Sequence, residues 1–343
     1  MTIGVAILGG GIFAREEHLP AVEKSKDLTL KAVYSRSIKS AKSLETDPSK
    51  TDLYSDDSDA GRKLDDLLGR KDVEAVIVAL PIKNQPEYIR KALLAGKHVL
   101  SEKPVAENVK EAVELIDWYE KEILPKGVTW SVAENARFWA ARVKAGEERS
   151  KLGRALTFRA RQQFLVSPGG KYYETDWRKV PTHQGGFLLD GGVHFAAVLR
   201  LLLRDDPLVN VSAQTAQLQE HLPPVDTVEA AAKARSGAIG SISFSFGTTA
   251  NGSEYNIGCE KGFVSVSDKT VTIDGKQEEI EEEGSGVTPE VRAWGEGIAR
   301  KQANPLQSPR EALADLEIIE ACLRSGEHGG KPVELKYQDV SYR

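Results

Sequence analysis

Residues 2–8 (TIGVAIL) form an unbroken apolar, β-rich run, as expected of a strand buried on both faces. The run ends in Gly9-Gly10-Gly11-Ile12-Phe13-Ala14, a G-x-G-x-x-A pattern, and a helix-like segment with Leu19 and Val22 continues to about Lys24. This order of strand, glycine turn and helix constrains the fold more than any other feature. The glycines permit a tight turn and close backbone approach, and the helix N-terminus offers free N–H groups and a positive dipole to a pyrophosphate. A plain glycine turn has the same composition; the position between a strand and a helix favours a dinucleotide site, with Gly9, Gly11, Ile12 and Phe13 lining it.

The alternation continues. A strand at 28–34 ends at Ser35-Arg36-Ser37, with Lys39 beyond, where an NAD-binding chain usually places an acid for the adenosine ribose. A carboxylate repels a 2′-phosphate, whereas hydroxyls and cations accept it, so NADP(H) is expected over NAD(H). The alternative is that Arg36 and Lys39 are solvated residues opening the next helix. Helices are predicted at 63–68, 88–95 (stopped by Gly96) and 108–123, and strands at 73–80, 98–100 and 128–133. Such alternation predicts a Rossmann-type, doubly wound parallel sheet over residues 1–134. Ligands of these sheets lie at the carboxyl ends of strands, which adds Leu80, Pro81, Glu102 and Lys103 to the expected site. A lysine facing a cofactor there can stabilise charge on a reacting oxygen; an ordinary surface lysine after a strand is the other reading of Lys103.

Beyond about Ala136 the pattern changes. A helix at 137–152 gives way to strands at 155–166, 208–217, 227–235, 239–246, 254–259, 262–266 and 270–273. These predict an α+β domain over 135–343 with a large, mostly antiparallel sheet. Ile242, Phe244 and Phe246 alternate with Ser241, Ser243 and Ser245, giving an apolar face able to meet a helix or a second subunit. The run EEIEEE at 278–283 reads as a solvated turn. Ser308-Pro309-Arg310-Glu311 reads as a capping box that opens a helix over 308–325, expected to pack between the domains.

Within this half, residues 185–194 read GGFLLDGGVH and run into Phe195, Ala196, Val198, Leu199, Leu201, Leu202 and Leu203, a buried helix. If Asp190 caps that helix, His194 falls one turn on and the two share a face. A carboxylate beside an imidazole can tune a proton donor near neutral pH; a capping Asp and a satisfied core His are the competing reading. The polar loop before it, 167–184, carries Lys171, Tyr172, Tyr173, Trp177, Arg178 and His183.

The 343 residues exceed one ordinary core, in keeping with two domains. A net charge of −5 with both signs mixed leaves no footprint for nucleic acid or an anionic membrane. Cys259 and Cys322, far apart and without metal spacing, predict reduced thiols and no metal site. Residues 1–4 lead straight into a strand, which leaves no room for a secretory signal, and no apolar run is expected to span a bilayer, so a cytoplasmic protein is expected.

Taken in order, GGGIFAREEHLP, Glu102-Lys103-Pro104, Ala133-Glu134-Asn135, Trp177-Arg178 and GGFLLDGGVH resemble the Gfo/Idh/MocA family, the glucose–fructose oxidoreductase, inositol dehydrogenase and rhizopine-catabolism group. The resemblance covers nearly the whole chain and looks closest to a fungal cytosolic NADPH-preferring branch. It implies that Lys103 touches the substrate oxygen and helps place the nicotinamide, that His194 is its acid/base partner, and that Asp190 orients substrate or His194. It also implies that Asn135 and the Trp177–Arg178 pair lie near the cofactor, and that the C-terminal sheet forms a homodimer or homotetramer. Ala197 and Gln85 stand where many members carry an acid and a histidine, which puts the usual sugar or inositol contacts in doubt. The expected activity is NADP(H)-dependent hydride transfer to or from a carbonyl or alcohol carbon of a small substrate. The alternatives are reduction of a C=N or conjugated bond in a specialised metabolite, and a non-catalytic NADP sensor.

Overall fold

The computed structural model describes residues 2–44 and 46–339; residue 1, on which the expected unprocessed start rests, and residues 340–343 lie outside the described residues. The chain divides into two compact units, Met1–Ala106 with Lys110–Glu134 and Gly284–Pro309, and Glu107–Val109 with Asn135–Glu283 and Arg310–Arg343. A single boundary near residue 134 therefore misplaces Gly284–Pro309, which packs with the first unit. The helix Pro309–Glu327 belongs almost wholly to the second.

The first unit holds a six-stranded, all-parallel sheet of β1 (Ile3–Leu8), β2 (Leu28–Ser35), β3 (Asp52–Ser55), β4 (Ala75–Val78), β5 (His98–Glu102) and β6 (Trp130–Ala133), in the order β3-β2-β1-β4-β5-β6. That is the Rossmann strand order, with the reversal between β1 and β4. The central strands carry no exposed residue because helices cover both faces; Val5, Ile7, Val33 and Ile77 are fully buried. β3 is absent from the sequence reading: its four residues, DLYS, are half polar. The helix Val287–Ala299 is missed as well, because Pro289, Gly295 and Gly297 give it the composition of a loop. Close packing explains one of these glycines, since a Cβ on Gly295 would lie 3.1 Å from the Leu28 side chain. Val287, Val291 and Trp294 complete the core above β1 and β2.

The second unit is built on a nine-stranded sheet: β7 (Ala155–Leu165), β8 (Leu208–Ala216), β9 (Thr227–Ala234), β10 (Ile239–Ser245), β11 (Gly247–Cys259), β12 (Gly262–Ser267), β13 (Thr270–Ile273), β14 (Lys276–Glu279) and β15 (Val333–Glu334). Its order is β14-β13-β12-β11-β7-β10-β9-β8-β15, antiparallel throughout except where β10 runs parallel to β7. The 18-residue helix Gly186–Leu203 lies on one face, and the Tyr255 hydroxyl donates to Phe195 O at 3.2 Å. This helix is long and apolar enough to cross a membrane, contrary to the sequence reading, but 83% of it is buried inside the fold, as in a core helix. It also covers Ile242, Phe244 and Phe246, all at most 3% exposed, so that apolar face is used within the chain. The opposite face is polar and open, with Thr157, Arg159, Glu229, Lys233 and Ser241 exposed.

Two acids expected to be local and solvated prove to be long-range. Glu282 of the acidic run accepts from Ala140 N at 2.6 Å and Ala141 N at 3.1 Å, closing the N-terminus of the helix Ala140–Ser150. The Glu311 carboxylate is buried with Asp315 against Arg200 and Arg137, Arg200 donating to Asp315 at 2.9 Å. Paired charges of both signs are what make such burial tolerable.

Candidate active site

In the first unit the glycine turn forms a cradle. Gly9 has φ +132° and donates its N–H to Tyr34 O at 2.8 Å; a Cβ there would lie 2.2 Å from Ala79 O. A Cβ on Gly10 would lie 2.3 Å from Ser40 O, yet one on Gly11 meets nothing within 4 Å. Gly9 and Gly10 are thus needed by the protein itself, whereas Gly11 faces open space, as a pyrophosphate requires. Ile12 and Phe13, both partly exposed, follow it into the helix. The turn fits a dinucleotide.

At the end of β2 the outcome is mixed. Arg36 and Lys39 are exposed. Ser35 is buried and its hydroxyl donates to Ser40 Oγ at 2.9 Å, while Ser37 caps the short helix Ile38–Lys42 by accepting from Ser40 N at 3.2 Å. The two hydroxyls expected at a 2′-phosphate therefore have local partners, and the cations remain available. The turn after β3 adds an acid. Asp57 accepts from Ile38 N at 2.7 Å and from Ser55 Oγ at 2.6 Å, and these bonds hold its carboxyl below the usual carboxylate range.

Leu80 and Pro81 follow β4, and Glu102 and Lys103 end β5, all partly exposed. Glu102 is held from two sides: His18 Nε2 donates to its Oε1 at 2.7 Å, and the Lys103 backbone N–H donates to its Oε2 at 3.2 Å. His18 is fully buried, Phe13 meets its ring edge-on at 5.4 Å, and its Nδ1 has no hydrogen-bond partner. One chain of contacts thus joins the glycine turn, through Phe13, His18 and Glu102, to the backbone that carries Lys103. His18 was present in GGGIFAREEHLP without a role. It ends the π-helical turn Ala14–His18, and that wider turn shifts the face on which the residue lies, so ordinary helical spacing does not point to it.

In the second unit the helix begins at Gly186, four residues before Asp190, so Asp190 is not its cap. The start is set by Gly185 (φ +72°) and Gly186 (φ +48°), the latter so close under Pro223 that a Cβ would lie 2.2 Å from its carbonyl oxygen. Asp190 is buried and accepts from Arg178 Nε at 2.7 Å. The Arg178 guanidinium lies 4.0 Å over the Trp177 ring and 5.5 Å over Tyr172. Trp177 and Arg178 thus form with Asp190 a stacked ion pair, one helical turn before the partly exposed His194. His183 is buried, with Nε2 3.3 Å from Gly186 O, and burial pushes its pKa down. Ala197, at the place of the expected acid, is fully buried in the core. Asn135 opens the turn Asn135–Phe138 directly after β6 and is partly exposed. Among the described residues no group of three or more His, Cys, Asp or Glu is placed to hold a metal ion.

Comparison with known proteins places both units. Residues 3–128 match the model described as "Oxidoreductase family, NAD-binding Rossmann fold" (GFO_IDH_MocA), and residues 148–335 match its C-terminal alpha/beta domain. A dehydrogenase of Fusarium mangiferae, FPY6, is 42% identical over 98% of this chain and all of its own length. An oxidoreductase of Thermotoga maritima superposes with a TM-score of 0.86 at 32% identity, covering 97% of this chain and 98% of its own. A 3-ketoreductase of Actinomadura kijaniata, solved with NADP and TDP-benzene, shares the fold with a TM-score of 0.78 at 22% identity, covering 95% and 98%.

Proposed function

Since the chain belongs to the Gfo/Idh/MocA oxidoreductase family, with its NAD(P)-binding Rossmann fold, we propose that it is an NADP(H)-dependent dehydrogenase or reductase of a carbonyl/alcohol pair on a small molecule. The observation that carries this reading is the turn open at Gly11 in the same unit as a strand end that holds Lys103 by its own backbone. A bound nicotinamide supplies the hydride; the chain's task is to align the reacting carbon and handle the proton.

The Lys103 ammonium is assigned to the substrate oxygen, where it stabilises developing negative charge. His194 is assigned to deliver a proton to that oxygen in reduction and to remove it in oxidation. Asp190, bound to Arg178, fixes the helical turn that carries His194. The NADP(H) preference rests on exposed Arg36 and Lys39, with Asp57 already bonded to Ile38 N and Ser55. We place the enzyme in the cytoplasm as a homodimer or homotetramer joined through the open polar face of the second unit's sheet. Nucleic acid and membrane are not among its partners in this reading.

Fluorescence titration with NADPH and NADH tests the cofactor assignment: tighter NADPH binding is expected, and equal affinity or an NADH preference defeats it. Steady NADPH oxidation with a panel of aldehydes and ketones tests the activity; binding without oxidation of any carbonyl would favour a sensor.

A further inference from the structure

The second unit carries an aromatic surface that proton transfer and cofactor binding leave unused. On the helix Gly186–Leu203, Phe187, Asp190, Gly191 and His194 are three or four residues apart and share one stripe. Phe246 seats on that stripe. A Cβ on Gly191 would lie 2.5 Å from its Cζ, its ring is 6.2 Å from Phe187, and it stacks on Phe195 at 5.6 Å and 18°. Phe164, near the end of β7, meets Phe246 edge-on at 5.1 Å and Phe195 at 6.3 Å, and stays 37% exposed. Tyr173 lies nearly parallel to Phe187 at 6.2 Å.

Two polar groups beside this surface are already engaged. Asp190 carries the Arg178 guanidinium at 2.7 Å, and His221 Nε2 is 2.8 Å from Val166 O. Recognition of a polyol needs carboxylates and amides that exchange hydrogen bonds with several hydroxyls. The His194 stripe instead offers one carboxylate, already ion-paired, and an aromatic ring system in which Phe164 is the most exposed member. A half-exposed phenylalanine at the end of a stack of buried ones gains contact area and ring–ring attraction from a further flat apolar group.

We propose that the substrate bears a planar aromatic or conjugated apolar group beside its carbonyl, and that this group packs on Phe164, backed by Phe246. The proposal rests on the oxidoreductase reading and names the substrate class for the same site.

The test uses the full chain and its Phe164→Ala and Phe164→Leu variants, with folding verified by circular dichroism. NADPH oxidation is followed with benzaldehyde and cinnamaldehyde against glyceraldehyde and xylose. Binding of benzyl alcohol against glycerol is measured by ligand-observed NMR with NADP+ present. The aromatic aldehydes are expected to exceed the others by about tenfold or more in kcat/KM. Phe164→Ala should remove most of that ratio, chiefly through KM; Phe164→Leu should keep part of it, and dinucleotide affinity should stay within about twofold. Equal or better use of glyceraldehyde or xylose overturns the proposal, as does an aromatic preference or benzyl alcohol binding untouched by Phe164→Ala. A protein that takes up benzyl alcohol at Phe164 but binds no dinucleotide overturns the oxidoreductase reading instead and leaves the ring site standing.

Discussion

Glycines crowd two places in this chain, and they do opposite work. In the turn after β1, the space beside Gly11 is open, while the spaces beside Gly9 and Gly10 are filled by Ala79 and Ser40. In the helix Gly186–Leu203, the space beside Gly191 is filled by Phe246 and that beside Gly192 by Ile319, whose Cδ1 would lie 3.1 Å from an added Cβ. There the missing side chains serve packing. Gly11 leaves a place open; Gly191 and Gly192 leave none.

The largest expected effect tests the side-chain chemistry. Lys103→Ala or His194→Ala should each lower kcat by about 10²–10⁴-fold and leave dinucleotide affinity within a few-fold. Unchanged turnover of an accepted carbonyl would place the chemistry elsewhere. The next pair of substitutions separates the two kinds of glycine. Gly11→Ala should weaken dinucleotide binding by about tenfold or more with Tm unchanged, because the added methyl points at the ligand and not at the protein. Gly191→Ala should do the reverse, costing about 1–3 kcal/mol of stability by overpacking against Phe246, with dinucleotide affinity retained. If both glycines behave alike in thermal melts and titrations, the contrast is lost.

His18→Leu should cost about 1–3 kcal/mol, since the Glu102 carboxylate loses a buried partner, and should lower turnover because Lys103 shares that carboxylate. His18→Gln, which restores a donor, should recover part of both; a variant stable to the same degree but fully active would make His18 purely structural. The smallest effect is on pH dependence. Burial lowers the pKa of both His98 and His183 below their ordinary value near 6.5. The unfolded chain then binds more protons than the folded one as pH falls below about 6.5, so their contribution to stability is present above that range and is lost on acidification. Thermal melts between pH 7.5 and 5.5 should show a falling Tm, with a shallower slope in His98→Gln and His183→Gln; an unaltered slope in both would contradict the assignment.

The same contrast explains what was legible in the sequence. Backbone devices read well: the G-x-G-x-x-A turn needs only glycine and a strand–helix context, and the alternation of buried strands with helices announces a parallel sheet, though not its strand order. Side-chain devices read poorly wherever the partner is remote. Asp190 looked like a helix cap, since nothing local reveals that the helix starts at Gly186 under Pro223 or that Arg178 supplies the countercharge. Glu282 and Glu311 looked local and serve distant partners. The apolar strand face at Ile242–Phe246 suits a helix or a second subunit equally by sequence, and the chain's own helix covers it. His18 was invisible because a π-helical turn alters its facing, and Asp57 because β3 is too short and polar to announce itself.

The proposed function has Lys103 and His194 act on one carbonyl oxygen. Its most direct test is a crystal structure with NADP+ and a bound alcohol such as benzyl alcohol. The expected result is that Lys103 Nζ and a His194 ring nitrogen each lie within about 3.2 Å of the alcohol oxygen. The result that would contradict it is an alcohol seated on the nicotinamide with either group more than about 6 Å from its oxygen, beyond the reach of a hydrogen bond or one bridging water.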